Sequence, residues 1–166
     1  MKLEELYREI QPRIYAYFYA KTGMKEAAED LTHETFYQAM KNHASFGERS
    51  SLSTWLFAIA VNVLRKEYRS RRYRRQLAAR IEPQEAERRA LTTEQQVLQR
   101  EQQRLLLDKI NSLEENAKEI VILRAYGELS FKEIGELIGQ SENYARVTFH
   151  RAKLKLHKEL EGYYGS

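Results

Sequence analysis

From the N-terminus, apolar side chains recur at helical spacing. Leu3, Leu6, Tyr7 and Ile10 stand at i, i+3, i+4 and i+7, which puts one apolar face on a helix. Pro12 is expected to bend or restart that helix. Ile14, Tyr15, Tyr17, Phe18 and Tyr19 continue it to a stop at Gly23. A second helix is predicted from Met24 to about Asn42, with Met24, Ala28, Leu31, Thr35 and Ala39 inward and Glu26, Glu29, Asp30, His33 and Tyr37 outward. After the polar loop Gly47–Ser50, Ser51 can cap a third helix. Its apolar stripe is Leu52, Trp55, Leu56, Ile59, Ala60 and Val63, and three such helices can bury one small core.

Residues 76–93 change character. They are rich in Gln, Glu, Arg and Ala, contain Pro83, and carry few large apolar side chains, so they are read as a partly helical linker. The remainder is again helical. Val97, Leu98, Leu105, Leu106 and Ile110 mark one helix. Ser112 with Glu115 forms a capping-box pattern before Ile120, Val121 and Leu123, with a stop at Gly127. Ser130 with Glu133 is a second capping box, flanked by Leu129 and Ile134 at the staple positions. That short helix ends at Gly139, and Ser141 caps a last helix reaching about Glu161. A helix of eight or so residues, a tight turn and a longer basic helix is a helix-turn-helix. The fold class is therefore all-α: two small helical domains, 1–75 and 94–166, joined by the linker 76–93.

Composition narrows the chemistry. With no cysteine among 166 residues, disulfide scaffolds, thiol catalysis and Cys-ligated zinc are excluded. No apolar run reaches a membrane span and no signal-peptide pattern opens the chain, so a cytoplasmic protein without membrane insertion is expected. The net charge is only +4, but it is unevenly placed. Residues 1–35 carry 5 basic and 7 acidic side chains, residues 65–75 carry 7 basic and one acidic, and residues 142–158 carry 5 basic and one acidic. One acidic and two basic segments imply separate binding surfaces.

In the last helix, Ala145, Phe149, Ala152, Leu156 and Leu160 share a face expected to be core. Asn143, Arg146, Val147, His150 and Arg151 lie on the opposite face or its flanks, in the half that enters a major groove. Arg reads guanine bidentately, Asn reads adenine, and Val touches a thymine methyl. Lys153, Lys155 and Lys158 are placed for phosphates.

Four segments then carry a resemblance: Asp30-Leu31-Thr32-His33-Glu34-Thr35-Phe36, Trp55-Leu56-Phe57-Ala58-Ile59-Ala60-Val61-Asn62, Leu129-Ser130-Phe131-Lys132-Glu133-Ile134 and His150-Arg151-Ala152. In this order and at these separations the chain resembles the extracytoplasmic-function (ECF, group IV) sigma factors of bacterial RNA polymerase, over nearly its whole length. The resemblance implies that residues 1–75 are sigma region 2, which binds the β′ clamp helices of core RNA polymerase and melts the −10 element. Residues 94–166 are then region 4, which binds the β flap and reads the −35 element of promoter DNA. An anti-sigma factor is a common partner in the family.

Carried over by position, the clamp-binding motif falls on Asp30, His33 and Glu34, with Tyr37 beside them on the outward face. His33 departs from the family's usual Gln, though an imidazole still exchanges a hydrogen bond. The loop from Ala44 to Ser51 corresponds to the pocket for a flipped-out −10 base, with Phe46, Ser50 and Ser51 as contributors. Asn62 matches the polar position at the −10 duplex edge, and Arg65, Arg69 and Arg72 can grip backbone. Trp55 could be a stacking wedge, but its place in the apolar stripe predicts a core position. For −35 DNA the implied residues are Ser141, Asn143, Tyr144, Arg146, Val147, Thr148, His150, Arg151 and Lys155. Thr148 replaces a basic residue and Val147 a small polar one, so the −35 preference is expected to differ from the common one. Gly135 stands where alanine is usual, in keeping with close helix packing.

No catalytic residues, cofactor or metal are expected. Asp30-x-x-His33 resembles half of a di-iron carboxylate motif, and the second half is missing. The four histidines, His33, His43, His150 and His157, stand in no metal or triad spacing. The reading is a non-enzymatic initiation factor. The alternative is a sigma-like DNA-binding regulator that does not itself initiate transcription.

Overall fold

The computed structural model describes residues 3–47, 49–78 and 94–164; residues 79–93, Pro83 included, lie outside them. The described residues form seven α-helices and no strand: α1 (Leu3–Thr22), α2 (Lys25–Lys41), α3 (Leu52–Ala78), α4 (Glu94–Asn111), α5 (Glu115–Ala125), α6 (Phe131–Ile138) and α7 (Glu142–Tyr164). A single 3-10 turn, His43–Ser45, leads from α2 towards α3.

Local chemistry sets most boundaries. Pro12 sits inside α1 without ending it. Gly23 stops the helix with φ at 69°, a left-handed conformation that glycine takes without a Cβ penalty. Ser51 Oγ accepts the Thr54 amide at 3.1 Å and starts α3. Ser141 Oγ does the same for Tyr144 at 3.0 Å at the start of α7. The Ser130/Glu133 capping box forms in both directions, with Leu129 and Ile134 fully buried beside it. The box expected at Ser112 does not form. α5 begins after Glu114 with no side-chain cap, and Ser112 Oγ donates back to the Lys109 carbonyl at 2.6 Å. Leu113 is turned into the core, and that turn takes the chain out of helical register until Glu114.

In the first unit α1, α2 and α3 bury Ile10, Ile14, Phe18, Ala28, Leu31, Ala39, Leu56, Ala60 and Val63. In the second, α4 to α7 bury Ile110, Leu113, Ile120, Leu123, Leu129, Ile134, Ala145 and Leu156. The two cores are continuous, because α1 packs on α5 and α3 packs on α6. This contact shifts the buried stripe of α3. Phe57 and Leu64 are buried, whereas Trp55 and Ile59 are only partly so. The added cover comes from the second unit: a Cβ built on Gly127 would stand 3.1 Å from the Phe57 ring.

Candidate partner and nucleic-acid surfaces

On α2, one row of positions packs inward as Ala28, Leu31, Thr32, Thr35 and Ala39, with the Thr32 and Thr35 hydroxyls donating to carbonyls one turn back. The complementary face therefore points to solvent. It carries Glu26, Glu29, Asp30, His33, Glu34 and Tyr37, all exposed, with Tyr37 at 61%. Asp30, His33 and Glu34 stand on this one face, and Glu34 Oε1 accepts from Gln38 Nε2 at 3.0 Å. No group of three His, Asp or Glu side chains able to hold a metal occurs among the described residues.

The opposite sign gathers along α3. Trp55, Ile59, Asn62, Lys66 and Arg69 follow one another at steps of three and four and form one face of the helix. With Arg65, and with Gln38, Asn42 and Ser45 from α2 and its following turn, they enclose a groove of about 420 Å³. Asn62, Arg65 and Arg69 are thus brought together, and Arg72 is exposed one turn beyond. Glu67 accepts from Arg71 at 3.1 Å and Arg74 at 3.5 Å, while Arg65, Lys66, Arg69 and Arg72 have no ion pair among the described residues. Trp55 is not a core residue. It is half-buried at the groove wall, with Phe46 at 5.0 Å between ring centroids and His43 edge-on at 6.5 Å. Sequence reading missed Gln38, Asn42, Ser45 and Lys66 here; the spacing of Gln38 and Asn42 on α2 was the available signal. Ser50 does not line this groove; its hydroxyl stands 3.4 Å from the Ser51 carbonyl. Ser51 faces elsewhere: its hydroxyl donates to Glu133 Oε2 of α6 at 2.8 Å.

The helix-turn-helix is α6, a turn at Gly139 (φ 73°) and α7. Asn143, Arg146, Val147, His150, Arg151 and Lys155 are exposed along α7, and Ser141 at its cap is exposed as well. Tyr144 and Thr148 are half-buried. The Tyr144 hydroxyl accepts from Asn116 Nδ2 at 3.3 Å, so it serves partly as a strut to α5. Arg146 pairs with Glu142 at 3.0 Å and stands over the Phe131 ring at 5.7 Å, with Arg124 over the same ring at 4.3 Å. The Arg146–Glu142 pair is half exposed and therefore weak, so a guanine edge can displace it.

A fourth feature was not legible beforehand. The α7 face expected to be core is buried at Ala145, Ala152 and Leu156 but opens at Phe149 and Leu160. These two, with Leu106, Ile110 and Val121, wall an apolar groove of about 630 Å³ between α4, α5 and α7. Leu154 stands 70% exposed at its rim.

Comparison with known proteins fits this map. The family model for sigma-70 region 2 matches residues 6–74, and that for sigma-70 region 4 matches residues 103–156. The chain is 32% identical over 159 residues to the RNA polymerase sigma factor YlaC of Bacillus subtilis, covering 95% of this chain and 91% of that protein. It is 31% identical over 150 residues to the ECF RNA polymerase sigma factor BldN of Streptomyces coelicolor, covering 89% of this chain and 56% of that longer protein. Among solved structures, the sigma factor RpoE in complex with the anti-sigma factor NepR from Bartonella quintana aligns with TM-score 0.69 and 21% identity over 95% of this chain and 96% of that one. The full-length similarity to known sigma factors, the two matched regions in their order, and a fold with an acidic α2 face, a basic α3 groove and a helix-turn-helix place this chain in the ECF group of the sigma-70 family of RNA polymerase sigma factors.

Proposed function

We propose that the chain directs core RNA polymerase to its promoters through three separated faces. The α2 face, with Asp30, His33, Glu34 and Tyr37, docks on the β′ clamp helices. The α3 groove, with Asn62, Arg65, Arg69 and Arg72, takes the −10 DNA, and Phe46 and Ser50 belong to the pocket for an extracted base, which Ser51 can join only by giving up its hydrogen bond to Glu133. The exposed side of α7 reads the −35 duplex through Arg146 and Arg151, with Asn143, Val147 and His150 alongside and Lys155 on phosphate. The apolar groove between α4, α5 and α7 receives the β flap. An anti-sigma factor holds the chain out of use, a reading supported by the fold likeness to a sigma factor solved with one. The chain itself carries out no covalent chemistry, and it works in the cytoplasm beside the polymerase.

The observation that carries this reading is the segregation of sign. An exposed acidic face repels phosphate and suits a protein partner, while Arg65, Arg69 and Arg72 of α3 and Arg151 of α7, which have no ion pair among the described residues, suit DNA. Trp55 adds to it, because a half-buried indole at the mouth of a basic groove offers a stacking surface for an unpaired base.

The test reverses the sign of α2. Asp30→Lys with Glu34→Lys should abolish assembly with core polymerase while the helical circular-dichroism signal and the isolated duplex affinity stay unchanged. Normal assembly by that variant would refute the clamp assignment. Run-off transcription from a randomised promoter library with core enzyme decides between an initiating factor, which yields sequence-specific transcripts, and a sigma-like regulator, which binds DNA and yields none.

A further inference from the structure

Phe131 opens α6 directly after the Ser130 cap. The capping box fixes its backbone: the Ser130 hydroxyl accepts from the Glu133 amide at 3.1 Å, and Glu133 Oε1 accepts from the Ser130 amide at 3.2 Å. The ring is half-buried against α7. Three α7 side chains at i, i+3 and i+4, Arg146, Phe149 and His150, surround it. The Phe149 and His150 rings stand 5.5 and 6.1 Å away, and the Arg146 guanidinium lies 5.7 Å from the ring centroid. From α5, Arg124 covers the same ring at 4.3 Å, and its Nη1 donates to the Leu129 carbonyl at 2.9 Å.

The two arginines stand differently to this ring. Arg124 is half-buried, close and tied to backbone, so it holds the ring in place. Arg146 is farther out and exposed, so it is the group that the ring holds. Its other partner is the Glu142 carboxylate at 3.0 Å. That pair occupies a guanidinium N–H and must yield to a base edge that needs the same donor. The ring contact acts through the quadrupole and occupies no N–H. It leaves all five donors of Arg146 for guanine and persists when Glu142 is displaced. A free arginine loses rotamer freedom on docking, and a side chain already held loses less of it. The His150 ring is held in the same way, between Phe131 and Phe149 at 5.6 Å. Arg151, the next residue, has no ring beneath it among the described residues.

We propose that Phe131 is a positioning residue for −35 recognition: from α6 it holds Arg146 and His150 of α7 in reading position, so that selectivity at the bases these two face depends on a ring of the neighbouring helix. The inference rests on the reading of α7 as the −35 helix.

The test selects the full-length chain against duplexes randomised over the −35 element. Arg146→Ala marks the base column that Arg146 reads, and Arg151→Ala marks that of Arg151. Phe131→Leu keeps an apolar side chain and removes the ring. It should lower discrimination in the Arg146 column about two- to fivefold, the range of an exposed cation–π contact. The Arg151 column should keep its discrimination, and Phe131→Tyr, which keeps a ring, should leave both columns as in wild type. A merely structural role would flatten both columns together. Should Phe131→Leu fail to fold, Phe131→Met is read in the same way, because its flexible thioether fills irregular apolar space. A second measurement uses no DNA. By NMR relaxation of the free chain, the Arg146 Nε–H should be more ordered on the ps–ns scale than that of Arg151, and Phe131→Leu should erase the difference. The proposal is overturned by an Arg146→Ala variant that loses no column, by an Arg146 column unchanged in Phe131→Leu, by equal flattening of both columns, or by an Arg146 no more ordered than Arg151. A wild-type chain that selects no sequence would instead sink the reading of α7 itself, and the proposal would fall with it.

Discussion

Gly135 sets the spacing within the helix-turn-helix, and replacing it by alanine opposes two effects of known sign. Helix propensity favours the change: alanine inside a helix is better than glycine by about 1 kcal/mol. Packing opposes it. A Cβ at 135 would stand 2.7 Å from the Gln140 carbonyl oxygen and 3.1 Å from the carbonyl carbon and oxygen of Ser141. Ordinary contacts lie near 3.5–4.0 Å, so the turn must retreat by several tenths of an ångström. The atoms in the way are backbone and they are tied. The Gly139 N–H is bonded to the Gly135 carbonyl, the Gln140 N–H reaches the same oxygen at 2.9 Å, and Ser141 is fixed by its cap. Overpacking of this kind costs about 1–3 kcal/mol. The net expectation for Gly135→Ala is destabilisation by about 1 kcal/mol, which lowers Tm by about 2–4 °C in a chain of this size. Gly162 supplies the control. It lies in α7, exposed, with nothing within 4 Å of its Cβ position, so Gly162→Ala should raise Tm by up to a similar amount. Thermal denaturation of the two variants side by side, followed by −35 duplex binding, is the assay. Gly135→Ala should also weaken −35 binding, because α7 must tilt away from α6. Equal stabilisation by both alanines, with unchanged DNA affinity, would refute the close-approach argument.

Further expectations follow for the DNA and interface contacts. Arg146→Ala or Arg151→Ala should cost about 1–3 kcal/mol on the preferred −35 sequence and relax selection at one base position. Lys155→Ala or Lys158→Ala should weaken all sequences alike and reduce the salt slope by about one. Titration of −35 variants at several salt concentrations separates the two, and equal loss on every sequence for the arginine variants would make them phosphate clamps. Glu133 gives a pH signature. Burial pushes its carboxyl pKa up, but hydrogen bonds from Ser51, Ser130 and Thr54 outweigh this and hold it below the ordinary 4.5. A depressed carboxylate stabilises the fold fully above the unfolded value, and that contribution is lost as pH falls through the folded one. The denaturation midpoints of wild type and Glu133→Gln should therefore differ most above pH 4.5 and converge below it; a constant gap would mean that the carboxylate charge contributes nothing there.

Much was legible in the sequence because it was written in local chemistry. Helical periodicity, the glycines at 23 and 139, and the Ser51, Ser130 and Ser141 caps act within a turn or two of chain, so all seven helices and the helix-turn-helix could be placed. Charge segregation is also a property of the chain itself, and it marked the acidic α2 face and the basic stretches of α3 and α7. The failures share one cause. Ser112 was expected to cap α5, but burial of Leu113 decided the register there. Trp55 was expected in the core, but Phe57 took the buried direction because the second unit covers that side of α3. Four consecutive buried residues, Ile120 to Leu123, leave α5 without a clear apolar face, since it is enclosed by both units. Periodicity reports that a face is buried and is silent on which distant surface buries it. The joining of the two units through Arg13, Glu119 and Glu133 rests on pairs about 80 to 115 residues apart, and only the tertiary structure could bring them together.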